Sequence, residues 1–401
     1  MKIKLYRHID FVLIITLSLL TTYFYFHYQP QITAGNGKGW DGISYYQIYQ
    51  NYIDQNISSS VIHPFCKRIG LPFLAAQLKI SGTKAFLYLN LFFGVLSILL
   101  TYATLRIRHG KFISVVCVLP LLFYIFSPIR FPNYYPFTVD PPAIFLYAIA
   151  IYCLAKKNYL FATLGLLVSC FFRESGLYYA IILNIILFFM GEVSIKRSLL
   201  FFLFIGIVAI SMIGVQNGTC NGSQLNAILT WALLKFRSFN GILKILSALS
   251  LTLAPFVMVA FDFKNIKDSD VVFKLSFIMM ILSIIMGTLG GLDTTRIFYI
   301  SYPLYVLFLA SNLEGKNKLK ITFFCAGGLI ANSFLSRIPE PENYIPNNDI
   351  SGLFSLFPDH GHIAISLSII VYWIILGIIS HYIDWDLLKL YLFKRLHSKK
   401  I

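Results

Sequence analysis

Asp41, Arg68, Asp140, Arg173, Glu174, Asp293 and Arg296 are the residues of this chain whose types could carry chemistry. Asp41 lies in Trp40-Asp-Gly-Ile-Ser-Tyr-Tyr46, flanked by glycines and aromatic rings. Arg68 lies in His63-Pro-Phe-Cys-Lys-Arg-Ile-Gly-Leu-Pro-Phe-Leu-Ala75 and Asp140 in Phe137-Thr-Val-Asp-Pro-Pro142. Asp293 and Arg296 share Gly290-Gly-Leu-Asp-Thr-Thr-Arg296. A carboxylate can act as general base on an acceptor hydroxyl. Arginine can take up the growing charge of a departing phosphate through its planar fork. Both types gathered at one depth would suit transfer from a lipid phosphate. Each residue also has an ordinary reading. Asp140 before two prolines, and Asp293, would make good helix N-caps. Arg173-Glu174 suits an interfacial turn, Arg68 with Lys67 suits lipid headgroups, and His63 and His360 suit plain loops. Asp41 is hardest to explain this way, because it caps no evident span.

The elements holding these residues are read from hydropathy. Of 401 residues, 57% are hydrophobic and 12% charged, about half the charged fraction of a soluble domain. With a mean hydropathy of +0.73 and apolar stretches long enough for a bilayer recurring throughout, lipid must be the solvent. The net charge of +16 does not indicate nucleic acid, since the basic residues form short clusters between apolar runs. The sequence predicts an all-α polytopic membrane protein, one integral-membrane domain over 1–401. About twelve transmembrane helices begin near residues 10, 85, 112, 141, 159, 175, 199, 245, 272, 297, 319 and 363. Threaded alternately, they put Lys2/Lys4/Arg7, Arg106/Arg108/Lys111, Lys156/Lys157, Lys196/Arg197, Lys264/Lys267/Lys274, Lys316/Lys318/Lys320 and the basic tail on one side. Both ends are then cytoplasmic by the positive-inside rule. The first span carries no small-residue cleavage site after it, so it is expected to be retained.

The apolar stretch 159–190 would be about 48 Å long as one helix, too long for a core of about 30 Å. Two short spans turning at Arg173-Glu174-Ser-Gly176 fit better, because two ionised groups at mid-bilayer are costly. The outer loops are then about 28–83, 216–243 and 337–361. In the first, Trp40-Asp-Gly-Ile-Ser-Tyr-Tyr46 followed by Ile48, Tyr49, Tyr52 and Ile53 puts rings on one face at helical spacing, which predicts an amphipathic helix in the interface plane with Trp and Tyr at headgroup depth. The second loop reads the same way, and the third, Ile338-Pro-Glu-Pro-Glu-Asn-Tyr-Ile-Pro346, is a non-helical cap. Cys66, Cys117, Cys153, Cys170, Cys220 and Cys325 show no CxxC pair and no metal-ligand spacing, so neither a structural disulfide nor a metal role is expected. No internal repeat marks a secondary transporter.

Trp40-Asp-Gly-Ile-Ser-Tyr-Tyr46 is similar to the tryptophan-aspartate signature of membrane mannosyltransferases. With Pro64-Phe-Cys-Lys-Arg-Ile-Gly-Leu-Pro72, Arg173-Glu174 and Gly291-Leu-Asp-Thr-Thr-Arg296, the chain resembles the GT-C superfamily of integral-membrane glycosyltransferases over roughly residues 1–310. That resemblance implies a polyprenyl-phosphate-linked sugar donor and a glycan or glycolipid acceptor beside membrane lipid. Asp41 would be the catalytic base, and Arg68, Arg173 and Arg296 would bind the donor phosphate. Glu174 and Asp293 stand with Asp41 as candidate catalytic carboxylates, and Asp140 and Tyr45 as candidate substrate-binding residues. The first loop has no adjacent acidic pair, so no divalent ion or other cofactor is expected. An O-antigen polymerase joining undecaprenyl-pyrophosphate-linked units and a transporter or flippase are the alternative readings.

Overall fold

The computed structural model describes residues 9–33, 35–39, 41–55, 61–62, 64–214, 220–221, 230, 232–233, 235–237, 239–259, 270–290, 294–335, 359–388 and 390. In chain order the elements are α1 (Ile9–Tyr28), α2 (Gly42–Asp54), β1 (Val61–Ile62), α3 (Gly70–Gln77), α4 (Gly82–Arg108), α5 (Lys111–Phe123), α6 (Phe131–Tyr134), α7 (Asp140–Ala155), α8 (Tyr159–Ser169), α9 (Ser175–Phe189) and α10 (Ile195–Gly214). They continue as β2 (Cys220–Asn221), α11 (Phe239–Val257), α12 (Val271–Leu289), α13 (Thr294–Ile300), α14 (Tyr302–Leu313), α15 (Lys318–Ile330) and α16 (Asp359–Tyr382). Among the described residues the protein is helical apart from the parallel two-residue pairing of β1 with β2. Among the described residues, five helices are long and apolar enough to cross a membrane: α1, α4, α11, α12 and the 364–382 part of α16.

Every apolar segment expected to be helical carries a helix beginning within about six residues of the expected position, yet several are short. At 1.5 Å per residue α8 is about 17 Å long and α7 about 24 Å, against about 40 Å for α4. The stretch 159–190 is two helices, α8 and α9, as its length required. Gly176 allows their close approach, since a Cβ there would strike the Ser169 hydroxyl and the Leu166 carbonyl. Helix α13 stops at Ser301 because Pro303 has no N–H to continue the ladder. The break is filled by polar partners: the hydroxyls of Tyr179 and Ser301 pair at 2.6 Å. Tyr299 and Tyr302 donate to the carbonyls of Pro120 and Cys117 in α5. Backbone freed at membrane depth needs such partners, because lipid offers none.

Helix α4 sets the level of everything near Asp140. Its Asn90, fully buried, donates to the carbonyls of Pro136 and Thr138 at 2.8 Å each. Asn90 lies just over two turns past the start of α4 at Gly82, about 12 Å along the axis. The residues leading into α7 are therefore sunk below the end of α4, and α2 packs over them through Gly42 and Tyr46. At the opposite end of α4, basic clusters converge. Arg106 and Lys111 meet Asp10 at 3.0 and 3.4 Å, Arg108 pairs with Asp270, and His109 meets Glu314 at 2.8 Å.

Two expectations are corrected. Helix α2 is amphipathic, but Tyr45 and Ile48 are fully buried and Tyr49 nearly so. The rings pack on Phe65, Phe86 and Phe137 of the protein instead of lying at headgroup depth, because the sunken floor beneath α2 offers an aromatic surface to bury against. Cys66 is disulfide-bonded, whereas Cys117, Cys153, Cys170 and Cys325 are free. The remaining cysteine, Cys220, sits on the strand whose backbone is in register with Val61. Loops far apart in sequence meet there, which spacing along the chain could not reveal. Most of the second outer loop and nearly all of the third lie outside the described residues.

Candidate functional site

Five separate segments bring their charged residues together at the end of the bundle opposite the basic clusters. A 3-10 turn at Phe65–Lys67 delivers Arg68, and the Gly70 N–H docks this loop on the Phe171 carbonyl at 2.8 Å. A side chain at Gly70 would collide with the Phe172 ring, its Cβ falling at 2.8 Å. The α8–α9 turn delivers Arg173 and Glu174, Asp140 opens α7, and α13 carries Arg296. Asp41 directly precedes α2 but makes no capping hydrogen bond, so its carboxylate is turned to the cluster. The flanking glycines now have a reason. Gly39 has a φ of +65°, and a Cβ there would fall 2.6 Å from the Tyr135 ring. A Cβ at Gly42 would fall 2.7 Å from Phe137, and the Gly42 N–H donates to the Tyr135 hydroxyl.

Three arginines face three carboxylates. Arg68 grips Glu174 with both ends of its fork, Nε to Oε2 at 2.8 Å and Nη2 to Oε1 at 2.6 Å, while its Nη1 donates to the Tyr45 hydroxyl at 2.9 Å. Arg173 donates twice to Asp140 Oδ1, at 2.9 and 2.6 Å. Arg296 donates to the other oxygen, Oδ2, and reaches the Thr138 hydroxyl at 3.3 Å. Its Nη1 lies 3.6 Å from Asp41 Oδ2. The Asp140 side chain is 5% exposed and the Asp41 side chain 17%. Asp140 is thus a pivot consumed by two guanidiniums, and, contrary to its ordinary reading, the N-cap position of α7 is Val139 while Asp140 is the first helical residue. Asp41 is the carboxylate held most loosely and is partly open to solvent.

Burial resists charge on Glu174, but the attraction and hydrogen bonds of Arg68 outweigh it and hold the carboxyl down at about 2. Burial likewise opposes the charge of Arg68, and Glu174 reverses the effect, raising its pKa well above the ordinary value. Tyr45 is pushed up to about 12, by burial first and then by Asp41 among opposing arginines. Tyr135 is raised by burial and by Asp41. Both phenols therefore stay neutral and act as hydrogen-bond partners only. The cluster sums to zero charge, and each guanidinium fork is already directed at a carboxylate.

Of the residues singled out from the sequence, Asp41, Tyr45, Arg68, Asp140, Arg173, Glu174 and Arg296 are brought together. Asp293 lies outside the described residues, as do Trp40 and His63, and nothing is described of the His360 side chain. Thr138, Tyr135 and Asn90 belong to the site's framework and were not singled out. For Tyr135 and Thr138 the signal is the run Asn133-Tyr-Tyr-Pro-Phe-Thr138 just before Asp140, and Asn90, inside an apolar helix, has none of that kind. Among the described residues no three His, Cys, Asp or Glu side chains are grouped to hold a metal ion. No protein family, no curated protein and no solved structure matches the chain, so the site is read from its own geometry.

Proposed function

We propose that this chain is a multi-pass glycosyltransferase of the bacterial inner membrane, with about twelve passes and both ends cytoplasmic. It moves a sugar from a polyprenyl-phosphate donor onto a cell-surface glycan such as O-antigen on the periplasmic face. The observation that carries this reading is Asp41: a loosely held, partly exposed carboxylate 3.6 Å from Arg296, beside carboxylates that are each gripped by an arginine at hydrogen-bond distance. In the reaction, Asp41 takes the proton of the acceptor hydroxyl as that oxygen forms its bond to the anomeric carbon. The bond from that carbon to the phosphate oxygen breaks, and the polyprenyl phosphate leaves with the electron pair. One displacement inverts the anomeric centre. The Arg296 guanidinium stands beside Asp41, 3.6 Å from its Oδ2, where it can orient the carboxylate.

The disulfide at Cys66 supports the orientation independently of the basic clusters, since such bonds persist on the oxidising side of a membrane. A transporter would use broken helices and unsatisfied charge at mid-membrane. Here the break at Ser301 is filled by tyrosine hydroxyls, and the charges satisfy one another. The test is transfer by the full-length protein in lipid nanodiscs, supplied with labelled undecaprenyl-phosphate sugar and a lipid-linked acceptor glycan. Asp41→Asn is expected to lower transfer by about two or more orders of magnitude with unchanged folding. Equal activity removes Asp41 from the role. In cells, deletion is expected to leave full-length glycans lacking one sugar. Accumulation of single capped repeats would identify a polymerase instead, and uptake into proteoliposomes without sugar transfer would identify a transporter.

A further inference from the structure

The charge balance of the cluster leaves an anionic donor with no guanidinium that is not already committed to a carboxylate. Arg130, in the loop between α5 and α6, differs. Its partners are neutral: Nη1 donates to the Phe123 carbonyl at 3.2 Å, and the guanidinium carbon stands 5.4 Å from the centre of the Tyr25 ring. Its Nε is buried and makes no hydrogen bond. Among the described residues no carboxylate pairs with it. A buried charged donor without an acceptor is costly. Burial accordingly pulls the Arg130 pKa down, with Tyr25 only partly opposing, whereas Arg68 is raised by its glutamate.

The position of Arg130 is as informative as its partners. It follows α5, so it lies at the same end of the bundle as the cluster. The next residue, Phe131, is the ring on which Arg296 rests, with 5.2 Å between guanidinium carbon and ring centre. Tyr25 belongs to the last turns of α1, where Tyr23, Phe24, Phe26 and Tyr28 are widely exposed on a helix apolar enough to cross the membrane. A ligand with a long apolar tail and a phosphate head could lie along that end of α1 and set its head at Arg130, one ring away from Arg296 and Asp41.

We infer that Arg130, beside Tyr25, is an anion site that takes the phosphate head of a long-chain lipid phosphate. The inference rests on the glycosyltransferase reading only for the name of that lipid. Arg68, Arg173 and Arg296 then hold the architecture of the site, while Arg130 meets the phosphate.

The test is equilibrium binding of citronellyl phosphate, a short polyprenyl phosphate, to the purified full-length protein in detergent. Arg130→Gln is expected to weaken binding about tenfold or more, and Arg130→Lys, which keeps the charge, by less than about threefold. Citronellol, lacking the phosphate, is expected to bind equally weakly to all three proteins. Competition by inorganic phosphate at similar concentration would mean a site for free phosphate and overturn the lipid assignment. Equal binding of citronellyl phosphate to wild type and Arg130→Gln overturns the site. Should the Gln variant fail to fold, wild type carrying a diazirine-bearing citronellyl phosphate decides: crosslinks within 123–135 support the site, and crosslinks elsewhere or none overturn it. Failure here with sugar transfer intact leaves the enzyme reading standing. Binding through Arg130 without any transfer would overturn that reading and leave the anion site.

Discussion

Asp140 shows how much of this site is architecture. Two guanidiniums converge on its carboxylate in a nearly dry position. Removing one member of a buried ion pair typically costs about 3–5 kcal/mol, since the other charge stays buried. Asp140→Asn is therefore expected to lower the unfolding temperature strongly as well as abolish activity. A variant as stable as wild type would show that Arg173 and Arg296 do not depend on it. Glu174 gives a pH signature. Its folded pKa is depressed to about 2 from about 4.5, so the stability it lends is fully present above about 4.5 and drains away as pH falls toward 2. The difference in thermal stability between wild type and Glu174→Gln should be flat from about pH 5 to 8 and shrink only below about 4.5. A difference that changes between pH 6 and 8 would contradict the pairing with Arg68. These residues were legible in the sequence because ionisable groups are rare in so apolar a chain and sidedness sorts them. Tyr135 and Thr138 were not, because a chain with 16% aromatic residues hides one ring among many.

At the scale of elements, the α8–α9 hairpin carries Arg173 and Glu174 and depends on close backbone approach. Gly176→Ala would press a methyl group against Ser169 and the Leu166 carbonyl, which are main-chain and near-main-chain atoms that cannot swing aside. A cost of about 1–3 kcal/mol is expected, together with reduced activity. Gly206→Ala in α10 is the counterpart, because a Cβ there meets nothing within 4 Å. That change should be neutral or slightly stabilising through helix propensity. Equal effects of the two in thermal unfolding would refute the packing argument. Helix positions were readable from hydropathy, and the division of 159–190 from length alone. The inward turn of the α2 rings was not readable, since periodicity shows that a face is apolar and does not say whether lipid or protein covers it.

Across the whole molecule, two clusters of paired charges stand at opposite ends. Arg106, Arg108 and Lys111 meet Asp10 and Asp270 at one end, and the Asp41 cluster closes the other, sunk below the start of α4. Alternate threading of the basic clusters led to an expectation of sidedness, which remains to be measured. The recess was not legible, because it arises from helices too short to match α4, and sequence boundaries are not sharp enough to measure that shortfall. The disulfide was hidden for a related reason, its loop pairing being a long-range event. The proposed chemistry requires the sunken end to face away from the cytoplasm. Gln50 on α2 and Lys316 after α14 are both exposed and lie at the two ends. Single Gln50→Cys and Lys316→Cys proteins, treated with a membrane-impermeant maleimide in right-side-out vesicles, decide the matter against the unsubstituted protein as background. The Gln50 position should label in sealed vesicles, and the Lys316 position only after permeabilisation. Labelling of both in sealed vesicles, or of Lys316 alone, would contradict a donor site on the outer face.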